Sequence, residues 1–444
     1  METSEKKLIY TAGTLKYTSA SLFSLFGWLL WGDFVLTLME AVLPNLMPML
    51  LKDAGASNKE IGFIMSSATL VLSLILQPSF STLSDNTRSK WGRRKPYLFI
   101  FSPFVVLLLC AVPYYGQILS WLTDTAFFNM LLKISPVAPA VLVLGAIVIG
   151  YQIFNIPVMM GYYCLVPDVV PKPVIGRFYA MFRVFGTLAG TLFNYFFLGK
   201  AKTHLTIVFI GIAVFYLISI WIMCLKVKEG EYPPVPEKKD KTPIFKAVTN
   251  YFKLCFGQPY YVVAYIAYAA LYWSYLSNSF TLFFFRDGLG YSVDSYGKLV
   301  AYGSIVMLVC YYPFGILVDR WGSMKSLMAG QIGTIIFLML SFLFIHSPTT
   351  GIVFTILTAV PTTLSTLTIM KWLVDVYPPE KYGQFNAGGM LVYSIGGVFF
   401  GYLCGGFLDY FKDYRYVFVW SSFFRLITLA AAFWVFKNRP KPVV

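Results

Sequence analysis

The chain has 444 residues, of which 58% are hydrophobic, 18% aromatic and only 12% charged, against the roughly 25% charged residues of an ordinary soluble domain. That composition excludes a soluble enzyme, a disordered protein and a secreted disulfide scaffold. The formal charge of +15 would suit a nucleic-acid binder, but such a protein does not carry this apolar excess, so no nucleic-acid partner is expected. Membrane lipid is the expected surrounding.

The first twenty residues are polar, with Lys6, Lys7 and Lys16, and the apolar run behind them continues to about Pro44 with Asp33 inside it. A cleaved signal has a shorter, uninterrupted apolar core, so this run is read as a retained membrane helix. Spanning a bilayer takes ~20 mostly apolar residues. Further stretches of that kind fall at about 60–83, 97–116, 137–161, 177–198, 205–225, 260–285, 296–318, 326–346, 351–374, 386–408 and 415–436. The pattern predicts an all-α polytopic membrane protein with twelve transmembrane helices. One long polar segment splits them into an N-terminal six-helix bundle (1–225), a central linker (226–255) and a C-terminal six-helix bundle (256–444). Most of the 35 Lys and Arg residues fall on the side that the termini and the linker share, which predicts that side to be cytoplasmic. The expected location is the plasma membrane, the inner membrane in a bacterium.

Cys110, Cys164, Cys224, Cys310 and Cys404 lie inside apolar runs and Cys255 beside one, without metal or redox spacing. The two histidines, His204 and His346, are isolated at helix ends. No nucleophile and base can be paired, so the sequence predicts no catalytic residue, no metal, no cofactor and no enzyme activity.

The two halves are related. The stretch from Asp168 through Pro171, Gly176 and Phe178 to Ala180 aligns without a gap on Asp375 through Pro378, Gly383 and Phe385 to Ala387. A second pair runs from Gln77-Pro78 through Asp85 to Trp91-Gly92, and from Tyr312-Pro313 through Asp319 to Trp321-Gly322, with a shorter loop in the second copy. Internal repeats of this kind are a mark of secondary transporters. Two pseudo-symmetric six-helix bundles resemble the major facilitator fold, which implies a substrate bound between the halves.

The loop Asp85-Asn-Thr87-Arg88-Ser-Lys-Trp-Gly92-Arg93-Arg94-Lys95-Pro96 resembles the signature of the glycoside-pentoside-hexuronide cation symporters, which include melibiose permease and, more distantly, the plant sucrose transporters. Its order of Asp, Thr-Arg turn, Gly, basic triplet and helix-starting Pro sets it above simple positive-inside anchoring. Acids at helix ends facing Arg or Lys on neighbouring elements form latches that close one side of a transporter. A gating role is therefore expected for Asp85, Arg88, Arg93, Asp168, Arg177, Asp319, Arg320 and Asp375. Lys371 and Asp375, one turn apart, are expected to pair with each other.

Within the membrane, Trp31-Gly32-Asp33-Phe34 is similar to the family's Gly-Lys-Asp-Phe stretch, and Arg183-Val-Phe-Gly-Thr-Leu-Ala-Gly190 to its Arg-Phe-Phe-Ala-Ser-Leu-Ala-Gly. The resemblance implies that Asp33 and Arg183 bind a sugar; a structural ion pair fixing helix packing is the other reading, and one pair can serve both. The family's sodium-site acids fall here on Ser73, Gln77 and Asn155. These are neutral, so sodium coupling is not expected. Gln77-Pro78 resembles the sucrose-transporter branch, whose members use protons, yet that branch's fourth-helix coupling Asp is also absent, with Gln152 nearby. Glu40 and Asp33 remain as candidate proton carriers. Helix packing through Asn45 or a neighbouring helix is an equal reading of Glu40.

Tyr265, Tyr268, Tyr272 and Tyr275 recur at helical spacing in the seventh apolar run. Of the aromatics, Tyr272, Trp273, Trp28 and Trp31 are the candidates to stack on a sugar, with Gln152 and Asn155 as further polar contacts. Gly397, Gly401 and Gly405 form a face for close helix packing. Arg425, like Arg183 and Lys371, is a basic residue inside an apolar run, and no role is assigned to it. The sequence therefore predicts a monomeric, proton-coupled sugar or glycoside transporter, with an exporter of drugs or metabolites and an uncoupled sugar uniporter as alternatives of the same fold.

Overall fold

The structure, a computed structural model, describes residues 10–232, 244–378 and 381–438; the middle of the expected linker, 233–243, lies outside the described residues. Twelve long helical segments are present among them, one for each predicted apolar run. They are α1 (Ser19–Asp53), α2 (Asn58–Asn86), α3 (Lys95–Thr123), α4 (Pro139–Val169), α5 (175–197), α6 (Leu205–Lys226), α7 (259–288), α8 (Val293–Trp321), α9 (Ser323–Phe344), α10 (Pro348–Val376), α11 (Tyr382–Phe411) and α12 (Val417–Lys437). Ten of them are long and apolar enough to cross a bilayer, although α2 carries a wide turn at Phe63–Ser67 and α3 a tight one at Val112–Tyr114. The other two are broken. α5 ends in a wide turn at Phe193–Phe197, and α7 tightens at Ser274–Ser277 and widens at Phe284–Gly288. Two shorter helices, Ala126–Ile134 and Ile244–Phe256, and a hairpin of β1 (Tyr10–Ala12) with β2 (Leu15–Tyr17) had no counterpart in the sequence reading.

Local chemistry sets the helix starts. Thr18 and Ser21 form a reciprocal cap on α1, Ser57 and Glu60 one on α2, and Ser347 and Thr350 one on α10, where Pro348 occupies the first turn. α1 runs through Pro44 and Pro48 without ending, as membrane helices can when neighbouring groups satisfy the freed backbone.

The chain divides into two compact units. The first comprises Met1–Gly55, Leu72–Phe193 and Lys200–Glu237, and the second Ala56–Val71, Asn194–Gly199 and Lys238–Val444. In the first, α1 packs on α5 and α6, and α3 on α4 and α6. In the second, α10 packs on α8 and α9, while α7 lies against α11 and α12.

The opening part of α2 is held to α11 inside the second unit by glycine. A Cβ on Gly62 would strike the Gly401 carbonyl, and one on Gly405 would strike the backbone of Asn58. The face of Gly397, Gly401 and Gly405 thus serves the close packing its spacing predicts. Polar groups finish the seam: Asp409 accepts from the Asn58 side chain (2.8 Å) and the Lys59 backbone (3.1 Å), and Tyr414 donates to Asn58 Oδ1 (2.9 Å). Gly297 of α8 meets the Asn194 carbonyl in the same way. Gly405→Leu is expected to lower stability by about 1–3 kcal/mol through overpacking, read as a lower melting temperature in detergent. Gly211→Ala on α6, where a Cβ meets open space, should leave melting unchanged.

Candidate functional site

In the first unit, Asp33 sits near the middle of α1 and is 2% exposed. Its Oδ2 has no hydrogen-bond partner among the described residues. Arg183 of α5 and Glu40, two turns along α1, both lie near enough to act on it electrostatically. One turn beyond Arg183, Gly186 places α5 alongside that carboxylate: an added Cβ would stand in ordinary contact, 3.4 Å from Asp33 Oδ2 and 3.5 Å from Thr37 Oγ1. Glu40 takes a 3.5 Å contact from Asn155 Nδ2 of α4, while Asn45 donates to the Ala41 carbonyl. Of the two helix-packing partners considered for Glu40, the neighbouring helix provides the contact. Asn155 is itself buried, with no partner for its Oδ1.

Tyr163 is within electrostatic reach of Glu40, Asp33 and Arg183 together. Sequence reasoning missed Tyr163. Tyr163 carried one signal, its place eight residues beyond Asn155 on the same stripe of α4. Gln152 is half-buried on α4. Asp33, Arg183, Glu40, Asn155 and Tyr163 thus converge from α1, α4 and α5. The group combines one guanidinium, two carboxyls, an amide and a phenol, all able to bond hydroxyls.

The expected aromatics have contacts of their own within each unit. Trp28 and Trp31 line an apolar groove of about 660 Å³ with Phe215, Ile218 and Ile222 of α6. Trp31 is two residues from Asp33, ~200° around the helix, and its ring stacks on Phe34 and meets Phe215 edge-on. In the second unit, Trp273 is buried, donates its indole N–H to the Tyr393 carbonyl (2.9 Å) and packs on Phe400 and Phe424. Tyr272 joins a ring cluster with Tyr268, Tyr275 and Tyr393.

The residues expected to gate form two sets, one in each unit. In the first, Asp168 at the end of α4 binds both arginines of the α2–α3 loop, Arg93 at 2.6 Å and Arg94 at 3.1 Å. Asp85 pairs with Arg94 at 2.5 Å and more loosely with Arg93 at 3.8 Å. Desolvation lowers each guanidinium's proton affinity, but Asp168 outweighs it and holds both above the ordinary arginine value. Glu229, just past α6, accepts the backbone N–H groups of Arg93 (2.8 Å), Arg94 (3.1 Å) and Lys95 (2.9 Å). Tyr232 lays its ring 4.1 Å from the Arg93 guanidinium. Arg94, Glu229 and Tyr232 were not among the expected gating residues; the sequence shows them as a basic triplet and a polar linker, with nothing to say that they meet. Arg88 binds the backbone carbonyls of Asp85 (2.7 Å) and Thr87 (2.9 Å).

In the second unit, Lys371 reaches Asp319 at 2.5 Å, and Asp375 accepts the Ser323 hydroxyl. This corrects the expected Lys371–Asp375 pair. A Lys placed N-terminal to its acid at i, i+4 is the weaker helical orientation, and an acid on α8 and a hydroxyl on α9 compete successfully. Arg177 and Arg320 are exposed and form no ion pair with a described residue. Asp168→Ala is expected to cost about 3 kcal/mol, the lower figure for breaking a buried pair, because Arg93 and Arg94 lose their shared acceptor. Asp319→Ala, at an exposed pair, should cost ~1 kcal/mol or less. Melting of both variants in detergent checks the contrast.

A family model described as MFS/sugar transport protein matches residues 29–434. Comparison with curated proteins found no match. Among solved structures, the nucleoside transporter NupG is similar with a TM-score of 0.67 at 12% identity, over 94% of this chain and 100% of that one. A bacterial homologue of the human lysosomal transporter Spinster, inward-facing and unoccupied, gives 0.67 at 13% identity over 96% and 99%. A bacterial homologue of the iron transporter ferroportin gives 0.61 at 15% identity over 93% and 98%. At such identities these likenesses bear on the fold, which is that of major facilitator transporters. Taken with the twelve apolar helices and the family match along nearly the whole chain, they identify this protein as a polytopic membrane transporter of the major facilitator superfamily, belonging to its MFS/sugar transport protein family.

Proposed function

We propose that the chain is a secondary transporter of a sugar or glycoside, working by alternating access between two six-helix halves and driven by protons, not sodium. The observation that carries this reading is the cluster around Asp33. A buried carboxylate with an unsatisfied oxygen lies beside Arg183, with Glu40, Asn155 and Tyr163 around it. A charge near a helix centre costs ~2.5–3.5 kcal/mol on insertion scales and is kept where it has work to do. A polyol supplies what these groups need. Its hydroxyls donate to Asp33 Oδ2 and Asn155 Oδ1 and accept from Arg183, and charge strengthens the bonds to Asp33 and Arg183.

Proton coupling follows from the acids. Away from the helix ends, the described spanning segments hold two carboxyls, Asp33 and Glu40, and both are on α1. Asp33 has Arg183 beside it. Glu40 contacts the neutral Asn155, so it can gain or lose a proton without breaking an ion pair. The neutral residues Ser73, Gln77 and Asn155 support the absence of a sodium site, since a hard cation favours oxygen ligands that include carboxylate. Asp85, Asp168 and Asp319 with their basic partners serve as latches on the cytoplasmic side, Asp375 joins them through Ser323, and both termini lie in the cytoplasm.

The test is uptake into proteoliposomes of a panel of radiolabelled sugars, glycosides and nucleosides under an imposed pH gradient. At least one sugar should accumulate with the gradient and show no sodium dependence. Asp33→Asn and Arg183→Gln should each weaken sugar binding about tenfold or more, a loss of ~1.4 kcal/mol or greater. Glu40→Gln should retain sugar exchange at equilibrium while losing accumulation. Nucleoside uptake without sugar uptake overturns the substrate class, and unaltered pH dependence in Glu40→Gln overturns the proton role.

A further inference from the structure

The second unit buries a cation that the mechanism above does not use. Arg425 of α12 is 2% exposed. Its guanidinium donates to Gln331 Oε1 at 3.3 Å and stands 5.2 Å from the centre of the Tyr275 ring. Both partners are neutral, and no described carboxylate pairs with it. Arg425 lines a cavity of about 240 Å³ between α7, α8, α9, α10 and α12. Threonine and serine hydroxyls dominate its polar lining, among them Thr334, Thr358, Thr362 and Ser421, and no acid contributes. Thr358 Oγ1 is buried with no partner among the described residues. Thr334 donates its hydroxyl to the Gly330 carbonyl (2.7 Å), and Thr362 has only a weak 3.5 Å contact with it.

A guanidinium keeps its charge and presents five N–H donors in a planar fork. One hydrogen bond leaves most of that fork unused, and an uncompensated charge taken out of water is costly. Hydroxyl dipoles offset only part of it. The missing element is one negative charge with two acceptor atoms in a plane, which is the shape of a carboxylate. The volume lies just below the ~300–1,000 Å³ of pockets for drug-sized ligands, so the ligand has few heavy atoms.

We propose that this cavity is a binding site for a small carboxylate, clasped by the Arg425 fork and hydrogen-bonded by the hydroxyls of Thr358 and its neighbours. The site lies wholly within the second unit and stands whether or not the Asp33 cluster binds a sugar. The carboxylate has two possible sources, a free organic acid resident in the protein or the acid group of a transported solute.

The test uses the full-length protein in nanodiscs, titrated with sodium acetate, propionate or benzoate against sodium chloride and against acetamide at matched ionic strength. Binding is read by calorimetry and by melting temperature. At least one carboxylate should bind saturably where acetamide does not. Arg425→Met should abolish that binding, Arg425→Lys should weaken it about tenfold or more, and Thr358→Val should weaken it several-fold while keeping the wild-type melting temperature without ligand. Should Arg425→Met fail to fold, the wild-type titrations and Thr358→Val decide. No saturable carboxylate binding, equal binding of acetamide, chloride binding at least as tight as any carboxylate, or full affinity in Thr358→Val overturns the proposal. Proteoliposomes preloaded with the bound acid distinguish its source: exchange against external labelled acid marks a transported solute, and retention marks a resident one.

Discussion

An apolar helix bundle tolerates charge only where something answers it, and that constraint organises both units. In the first, opposite charges answer each other. Asp33 on α1 and Arg183 on α5 share one locality, within electrostatic reach of each other. In the second unit Arg425 has an amide, an aromatic face and a hydroxyl-lined cavity, but no acid. The same physical problem is met by a nearby opposite charge in one half and left to neutral dipoles in the other. Away from these places the spanning helices are held by apolar burial and by glycine seams such as the one between α2 and α11.

The repeat explains the charge pattern at the helix ends, including its departures. Gly92 and Gly322 occupy equivalent turns, and both have positive φ, 104° and 82°. The residue after each turns toward the acid that closes the fourth helix of its half. In the first copy Arg93 meets Asp168; in the second Ser323 meets Asp375. The acid closing the second helix of each half also keeps a cation, but from a different place. Asp85 takes Arg94 from the loop, whereas Asp319 takes Lys371 from α10, at the repeat position that Cys164 fills in the first copy. The shorter second loop has no basic triplet, and a lysine on the helix replaces it. The geometry of the turn has been kept while the charges on it were exchanged.

Much of the fold was legible because apolar length and glycine spacing are one-dimensional signals. Each predicted apolar run became a helix, and the Gly397-Gly401-Gly405 face became a packing seam. The interruptions in α5 and α7 were not legible, because a wide or tight turn changes hydrogen bonding without changing hydropathy. Asp33, Arg183 and Glu40 were legible by their rarity, since a charge in an apolar run stands out whatever it touches. Arg425 stood out equally, but its cavity did not, because the hydroxyls lining it come from helices far apart in the chain. Which way an aromatic points was hidden as well. Trp31 is two residues from Asp33 in sequence, yet the helix turns it into a groove with α6.

The segment behind α6 has a mechanical consequence. One carboxylate, Glu229, gathers three successive backbone N–H groups at the start of α3, while Lys95 Nζ reaches back to the Val227 carbonyl at 3.0 Å and Tyr232 covers Arg93. The chain leaving α6 is thus stapled to the first turn of α3 before it continues. A pull on the chain at Tyr232 would therefore load the same turn that positions Arg93 and Arg94 against Asp168 and Asp85, and would reach this clasp before it reached the end of α6.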